Sequence, residues 1–244
     1  LLAARDEVRH HRRSSAELFD ASLVAAHQSN NESTFIRLFA AQGKAAAQAN
    51  AGIDARLARE KAASEQRIPF ASAQAQVLLG QPGFKRNDPD FFALTVANHI
   101  LGGGGFTARL TEEVREKRGL TYSVSSGFSP GMHAGAFTIG LQTRPDQAQQ
   151  ALTLVREVLT QFTNDGPTEN ELQAAKDNLI GGFALRLDSN RKLLDNVANI
   201  AWNNLPLDYL DTWTAEVQRL TTTHVKQAFA RVVQPQKMAA VVLG

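Results

Sequence analysis

Two neighbouring segments that alternate with a period of two constrain the fold most strongly. Residues 120–128 (LTYSVSSGF) and 134–143 (AGAFTIGLQT) each alternate between apolar and small or polar residues, and SPGMH separates them. Such alternation is typical of strands with one buried face, and a short turn between two of them joins them antiparallel. We therefore expect a β-hairpin, and with it a mostly antiparallel sheet.

Two further segments are predicted to join this sheet. Residues 68–80 alternate in the same way, with one set of side chains opposite the other: Gln74, Gln76 and Leu78 against Ala75, Val77 and Leu79. The final residues KMAAVVLG indicate a buried strand. Since that strand must pair inside the sheet, we expect the C-terminus to be complete.

Helices are predicted between and after these strands. Residues 87–102 have Asp88 as the expected N-cap, Pro89 at the first helical position and Gly102 as the stop. A second helix is expected from Thr107 to Gly119, with Leu110 and Val114 facing the core. A helix is predicted over 145–164, with Val155, Val158, Leu159 and Phe162 facing the core. The next begins at the Thr168–Glu171 capping box and runs toward Trp202, with a kink at Gly181 and Gly182. Two more are predicted, one over 208–219 and one that begins at Thr222 or Thr223. The order of elements predicts an α+β domain with helices laid over the sheet.

Composition narrows the function classes. The 244 residues include 26 basic and 24 acidic side chains, a net charge of +2, and no dominant basic block, which argues against nucleic-acid binding. The absence of cysteine excludes disulfides, thiolate zinc sites and thiol nucleophiles. No apolar run approaches the length of a membrane helix, ~18 residues, so membrane insertion is not expected.

The sequence changes character near residue 66. Residues 1–66 are rich in Ala, Arg, Gln, Ser and Asn and have weak apolar periodicity, so we interpret them as a poorly specified helical or linker segment. Residues 67–244 form the predicted α+β domain. Because the chain opens on Leu1 instead of methionine, we expect an upstream segment to be missing.

No metal site is predicted in this chain. Its six histidines do not occur in H-E-x-x-H or in the inverted H-x-x-E-H, which place two imidazoles on one helix face beside a glutamate. Zinc requires three or four converging ligands. The sequence also lacks the G-x-S-x-G nucleophile elbow, so serine catalysis has no support either.

Four consecutive glycines, Gly102, Gly103, Gly104 and Gly105, follow the helix predicted over 87–102. A dinucleotide-binding loop would follow a strand, and a P-loop would be followed by a lysine, so phosphate binding is disfavoured. One glycine would suffice for a connection between two helices. The run also permits a second interpretation, a flexible loop that lets an extended peptide backbone approach closely.

The segment VREKRGLTYSV carries the strongest chemical candidate. Arg115 lies in the last turns before Gly119, and Tyr122 lies early in the next predicted strand, so both side chains can reach one edge of the sheet. A guanidinium and a phenol there suit a carbonyl oxygen or a carboxylate. The alternative is that Arg115 pairs with Glu112 on the helix surface and that Tyr122 merely packs.

Residues 67–244 resemble the C-terminal half of the pitrilysin-like (inverzincin) zinc metallopeptidases. The resemblance rests on QAQVLLGQPG, on DPDFFALTVANHILGGGGFTARLTEEVREKRGLTYSVSSGF, and on GAFTIGLQT followed by GPTENELQAAKDNLIGGFALRLDS. It implies one half of a clam-shell in which the other half binds zinc through H-x-x-E-H. Arg115 and Tyr122 would then hold the substrate backbone carbonyl near the scissile bond, and Gly102–Gly105 would resemble the glycine-rich loop of the non-catalytic processing-peptidase subunit. The strand edge around Gln76 and Val77 would hold peptide by strand addition.

The sequence departs from that family at the catalytic motif, which is absent from all 244 residues. The chain is therefore expected to be a fragment or an inactive subunit that does not hydrolyse peptides alone. The resemblance implies a partner half or subunit that supplies zinc, a peptide substrate, a dimer and, at family level, a bacterial periplasmic or envelope location. The alternative function is a non-proteolytic assembly subunit, like some respiratory-complex core subunits of the same family.

Overall fold

One sheet organises the part of the chain that the structure describes. This structure is a computed structural model that describes residues 64–244, so most of the segment 1–66, predicted as helix or linker, lies outside the described residues. The sheet has five strands in the order β1-β5-β2-β4-β3. The strands are β1 Glu65–Ile68, β2 Ala75–Pro82, β3 Val124–Phe128, β4 Ala136–Thr143 and β5 Ala239–Leu243.

The pairing confirms the hairpin and a mostly antiparallel sheet. Strands β3 and β4 pair antiparallel from Val124 opposite Leu141 to Phe128 opposite Phe137. Strand β2 is antiparallel to both β4 and β5, and only β1 and β5 run parallel. The C-terminal strand therefore lies inside the sheet, as the sequence predicted.

Strand β2 has no free edge. Gln76 lies opposite Gln142 of β4 on one side and opposite Leu243 of β5 on the other. The prediction that the edge around Gln76 and Val77 adds a peptide strand is therefore wrong. Period-two alternation identifies a strand with one buried face, but it does not distinguish a central strand from an edge strand.

Six α-helices accompany the sheet in residues 64–244. They are α1 Phe91–Asn98, α2 Ala148–Asp165, α3 Glu169–Gly181, α4 Asn190–Asn203, α5 Tyr209–Gln218 and α6 Thr222–Val232. Two π-helical segments, His99–Gly103 and Thr111–Glu116, flank the short 3₁₀ turn Gly105–Thr107. Other 3₁₀ turns span Pro145–Gln147, Ala184–Arg186 and Pro235–Lys237. None of these helices is both long and apolar enough to span a bilayer.

Several predicted helix ends are wrong by one to three residues. Helix α1 begins at Phe91, because the Asp88 carboxylate accepts the backbone N–H of Asp90 at 2.9 Å and closes a turn ahead of the helix. The chain stays helical through Gly103, past the predicted stop at Gly102. Thr221, not Thr222 or Thr223, caps α6 by accepting the backbone N–H of His224 at 3.1 Å.

Two other helix boundaries differ from the prediction in the type of structure found there. The helix predicted to kink at Gly181 and Gly182 ends there, and Ser189 caps a separate helix α4. Thr107 does not cap the second helix with its side chain, since its hydroxyl points back to the Gly104 carbonyl at 3.4 Å.

The core lies between one face of the sheet and the helices. Val77 and Leu79 of β2 and Phe137 and Ile139 of β4 are buried on that face, whereas Leu78 on the opposite face is half exposed. Helices α2 and α6 join this core through Phe162 and Phe229, whose rings meet edge to face at 5.0 Å, and Phe229 also contacts Phe137 edge to face at 5.9 Å. The predicted inward residues Val155, Val158, Leu159 and Phe162 of α2 are all buried.

The capping box of α3 also anchors the segment before Thr111–Glu116. Thr168 and Glu171 cap the helix reciprocally, as predicted. Arg109 Nη2 donates to Glu171 Oε2 at 2.6 Å and to the Gly166 carbonyl at 3.0 Å. Burial would raise the pKa of Glu171, but the hydrogen bonds from Arg109 and Thr168 outweigh burial and lower the pKa to about 2.

We expect Glu171→Gln to lower the free energy of unfolding at pH 7 by about 1–3 kcal/mol, because it removes a carboxylate that holds both a cap and Arg109. Because the folded pKa lies below the unfolded value, this stabilisation is complete above about pH 5 and is lost as pH falls toward about 2. Urea unfolding from pH 7 to pH 3 measures both effects. Glu157→Gln, at an exposed position on α2, is the control. An unchanged difference between wild type and variant across this pH range would contradict the assignment.

Candidate functional site

Three of the four glycines are required by close packing. A Cβ on Gly102 would lie 2.6 Å from Ser126 Oγ and 2.7 Å from the Ser126 backbone nitrogen. On Gly103 it would lie 2.6 Å from Asn98 Nδ2, and on Gly104 it would lie 2.6 Å from the His99 carbonyl oxygen. Gly102 therefore lies directly against edge strand β3, whereas Gly103 and Gly104 lie against the preceding helical turn. The predicted role of Gly102–Gly105 in substrate binding stays a prediction.

Gly105 is required by its backbone conformation. Its φ of 70° lies in the left-handed region, and nothing lies within 4 Å of a Cβ built there. Its carbonyl accepts the Ala108 N–H at 3.2 Å and the buried Thr111 hydroxyl at 2.9 Å. The next residue, Phe106, is 74% exposed. The loop therefore presents an aromatic ring to solvent from an anchored turn.

Arg115 lies in the π-helical segment that follows this turn. Gly119, at φ 60°, ends the segment, with its N–H bonded to the Arg115 carbonyl at 2.8 Å and the Leu120 N–H bonded to the Val114 carbonyl at 3.0 Å. The Arg115 guanidinium carbon lies 5.0 Å from the centre of the Phe106 ring, and Nε lies 3.3 Å from a Glu116 carboxylate oxygen. Among residues 64–244, no N–H of this guanidinium donates a hydrogen bond that meets normal geometry. Within this part of the chain, Glu116 is its one acidic neighbour in salt-bridge range.

The predicted alternative, in which Arg115 pairs with Glu112, is wrong, because Glu112 has a different partner. Glu112 pairs with Lys117 at 2.9 Å, and Glu113 pairs with Lys117 at 2.7 Å and with Arg118 at 2.6 Å. Hydrogen bonds from Lys117 and then Arg118 hold the pKa of Glu113 below its usual value. Glu112 and Glu113 are thus paired with other cations, and within residues 64–244 the one carboxylate that pairs with Arg115 is that of Glu116.

Tyr122 stands on an anchored backbone but does not pack. Leu120 and Thr121 before it are buried, and the Thr143 hydroxyl donates to the Leu120 carbonyl at 2.5 Å while the Thr121 hydroxyl donates to the Gln142 carbonyl at 2.6 Å. Tyr122 itself is 87% exposed and lies two residues before β3, not inside the strand as predicted. In the described chain, no hydrogen bond joins Tyr122 to Arg115. The structure therefore brings Arg115 against Phe106 beside the glycines, while no direct bond links Arg115 to Tyr122 among the described residues.

Chemically, these residues can bind but do not supply a metal centre. Within residues 64–244, no three His, Asp or Glu side chains converge as metal ligands. The half-buried His99 packs against the glycine loop, and its pKa is lowered by burial and by Arg186. The donors of the half-buried Arg115 and of the exposed Tyr122 suit an oxygen acceptor such as a peptide carbonyl.

Sequence reasoning missed Phe106 and Arg109. Phe106 follows the glycines without apolar periodicity, and a large aromatic residue inside a loop was the only available signal. Arg109 bonds to Glu171, which is 62 residues later in the sequence, so no local pattern reports the contact.

Comparison with known proteins identifies the family. Residues 37–179, more than half of the chain, match the family described as the peptidase M16 inactive domain. The chain belongs to this family. The match begins inside the segment 1–66, so the domain boundary near residue 66 stays a prediction.

Three relatives of this M16 domain define its context. An uncharacterized zinc protease of Streptomyces coelicolor is 34% identical over 173 residues, which cover 70% of this chain and 37% of that protein. A non-peptidase homolog of Helicobacter pylori is 33% identical over 167 residues, covering 66% of this chain and 38% of that protein. The crystal structure of a peptidase M16 inactive domain from Pseudomonas fluorescens is 42% identical with a TM-score of 0.72, covering 75% of this chain and 44% of that one. The chain spans less than half the length of each relative.

We expect Gly102→Ala to destabilise the domain by about 1–3 kcal/mol, because the buried Cβ meets a backbone nitrogen and cannot move aside. Gly181→Ala, where no atom lies within 4 Å of the new Cβ, is the matched control and is expected to leave stability unchanged or slightly higher. Thermal unfolding of both variants measures the difference. Equal melting temperatures would show that the close approach to Ser126 does not exist.

Proposed function

We propose that this M16 domain is the substrate-binding, non-zinc half of a zinc metallopeptidase. The observation that carries the proposal is the Arg115 guanidinium, which is held in place on two sides and has donors that bond to nothing else among residues 64–244. Arg115 and Tyr122 donate hydrogen bonds to the substrate backbone near the scissile bond. Their binding energy orients the peptide for cleavage.

A partner completes the enzyme in this proposal. Zinc bound by a catalytic half carrying H-x-x-E-H supplies the activated water. That half is either a further part of a longer chain or a separate subunit with which this chain forms a dimer. The naming of the Streptomyces relative as a zinc protease supports a proteolytic context.

A second candidate is a non-proteolytic structural or assembly subunit of the same family. The Helicobacter relative, named a non-peptidase homolog, favours this reading. The parent reading frame and its neighbours discriminate the two. An H-x-x-E-H upstream or in an adjacent gene supports the peptidase, and its absence from both leaves the assembly role.

We expect Arg115→Ala and Tyr122→Phe each to lower kcat/KM for peptide cleavage by about ten-fold or more, because losing a charged or well-placed donor costs roughly 1.5–3 kcal/mol. The chain is co-expressed with its catalytic partner, and hydrolysis of a quenched fluorescent peptide is followed. Without the partner, the wild-type chain is expected to cleave nothing.

Arg191→Ala serves as the matched control, since Arg191 is exposed on α4, away from the glycine loop in sequence. It is expected to leave kcat/KM unchanged. Full activity in both the Arg115 and the Tyr122 variant would refute the substrate-binding role.

A further inference from the structure

The Phe106 ring is largely exposed to solvent. At 74% exposure it contributes little to the core, so its role is sought in what the ring contacts at the surface. Among residues 64–244 the ring contacts one charged group, Arg115, whose guanidinium carbon lies 5.0 Å from the ring centre. This distance is within the range of a cation–π interaction, up to ~6 Å.

The two partners of this contact sit on backbones that are tied together. Thr111 donates its hydroxyl to the Gly105 carbonyl at 2.9 Å, which joins the π-helical segment to the turn that carries Phe106. Thr111 and Arg115 are four residues apart, so they lie on the same face of that segment. The ring therefore meets the guanidinium from a fixed position.

The contact leaves the functional edge of Arg115 free. A guanidinium has five N–H donors in its plane, whereas its faces carry none. The guanidinium carbon lies over the Phe106 ring, and the Glu116 carboxylate lies beside Nε at 3.3 Å. Among residues 64–244 the two Nη groups donate no hydrogen bond, so neither contact uses the donors that a carbonyl oxygen would take.

We propose that Phe106 is a positioning residue that orients Arg115 for substrate through a cation–π contact. This inference rests on the proposed function, since it gives Phe106 a role only if Arg115 binds substrate. Phe106 then acts through Arg115 instead of contacting the peptide in its own right. Its removal should therefore matter only while Arg115 is present.

A double-mutant cycle tests this role in the chain co-expressed with its catalytic partner. Phe106→Leu keeps an apolar side chain but removes the ring, and we expect it to lower kcat/KM about two- to five-fold, the size of an exposed cation–π contact. Phe106→Tyr keeps the ring face and should retain wild-type activity. In the Arg115→Ala background, Phe106→Leu should cause no further loss. The loss should fall on the same parameter, kcat or KM, as the loss in Arg115→Ala.

A second measurement does not depend on catalysis. In the 244-residue chain, NMR resonances of the Arg115 side chain, assigned by their disappearance in Arg115→Lys, should carry a ring-current shift from Phe106. The shift should vanish in Phe106→Leu and persist in Phe106→Tyr. Phe70→Leu applies the same substitution at another exposed phenylalanine and should change neither the shift nor kcat/KM.

The outcomes separate the two proposals. An equal loss from Phe106→Leu with and without Arg115 would mean that the ring contacts substrate directly, and it would overturn the positioning role while the substrate-binding proposal stands. An unshifted Arg115 resonance would overturn the positioning role in the same way. Full activity in Arg115→Ala would overturn the positioning role, and full activity in Tyr122→Phe as well would overturn both proposals.

Discussion

Burial of one face of the five-stranded sheet determines where the helices that cover it lie. Val77, Leu79, Phe137 and Ile139 line that face and are almost completely buried. Helices α2 and α6 must cover it, and Phe162 and Phe229 fill the layer between helices and sheet. The segments that follow α1 are left to pack at the edge, against β3. The position of the candidate site at the sheet edge is thus a consequence of how the core is covered.

At that edge, the backbone of the helix end at Gly102 lies directly against the backbone of strand β3. Gly102 approaches Ser126 so closely that no Cβ fits, and Ser126 in turn donates its hydroxyl to Asn98 Oδ1 at 2.8 Å. Consecutive glycines lose much conformational entropy on folding. Here the absence of side chains at these glycines lets a helix end, a turn and a strand meet within one short segment. Close packing is thus a reason for glycine at Gly102 that the sequence alone did not show.

The sequence predicted what local patterns encode. Period two identified the hairpin, and the Thr168–Glu171 spacing identified a capping box that the structure confirms. It predicted β2 as a strand but not its central place, because pairing on the second side comes from β5 at the far end of the chain. For the site, Arg115 and Tyr122 were proposed from a short segment and a family resemblance. Phe106 was missed, because its contact with Arg115 depends on how the turn at Gly105 folds back.

The exposure of the site explains why a half-enzyme would depend on enclosure. In water, a hydrogen bond from an exposed guanidinium to a carbonyl adds little, since water competes for both groups. Charge–dipole interactions strengthen several-fold when water is excluded. The proposed catalytic partner would therefore do more than supply zinc. By covering Arg115 and Tyr122, it would turn two weak surface donors into strong ones at the moment when a peptide is held between the halves.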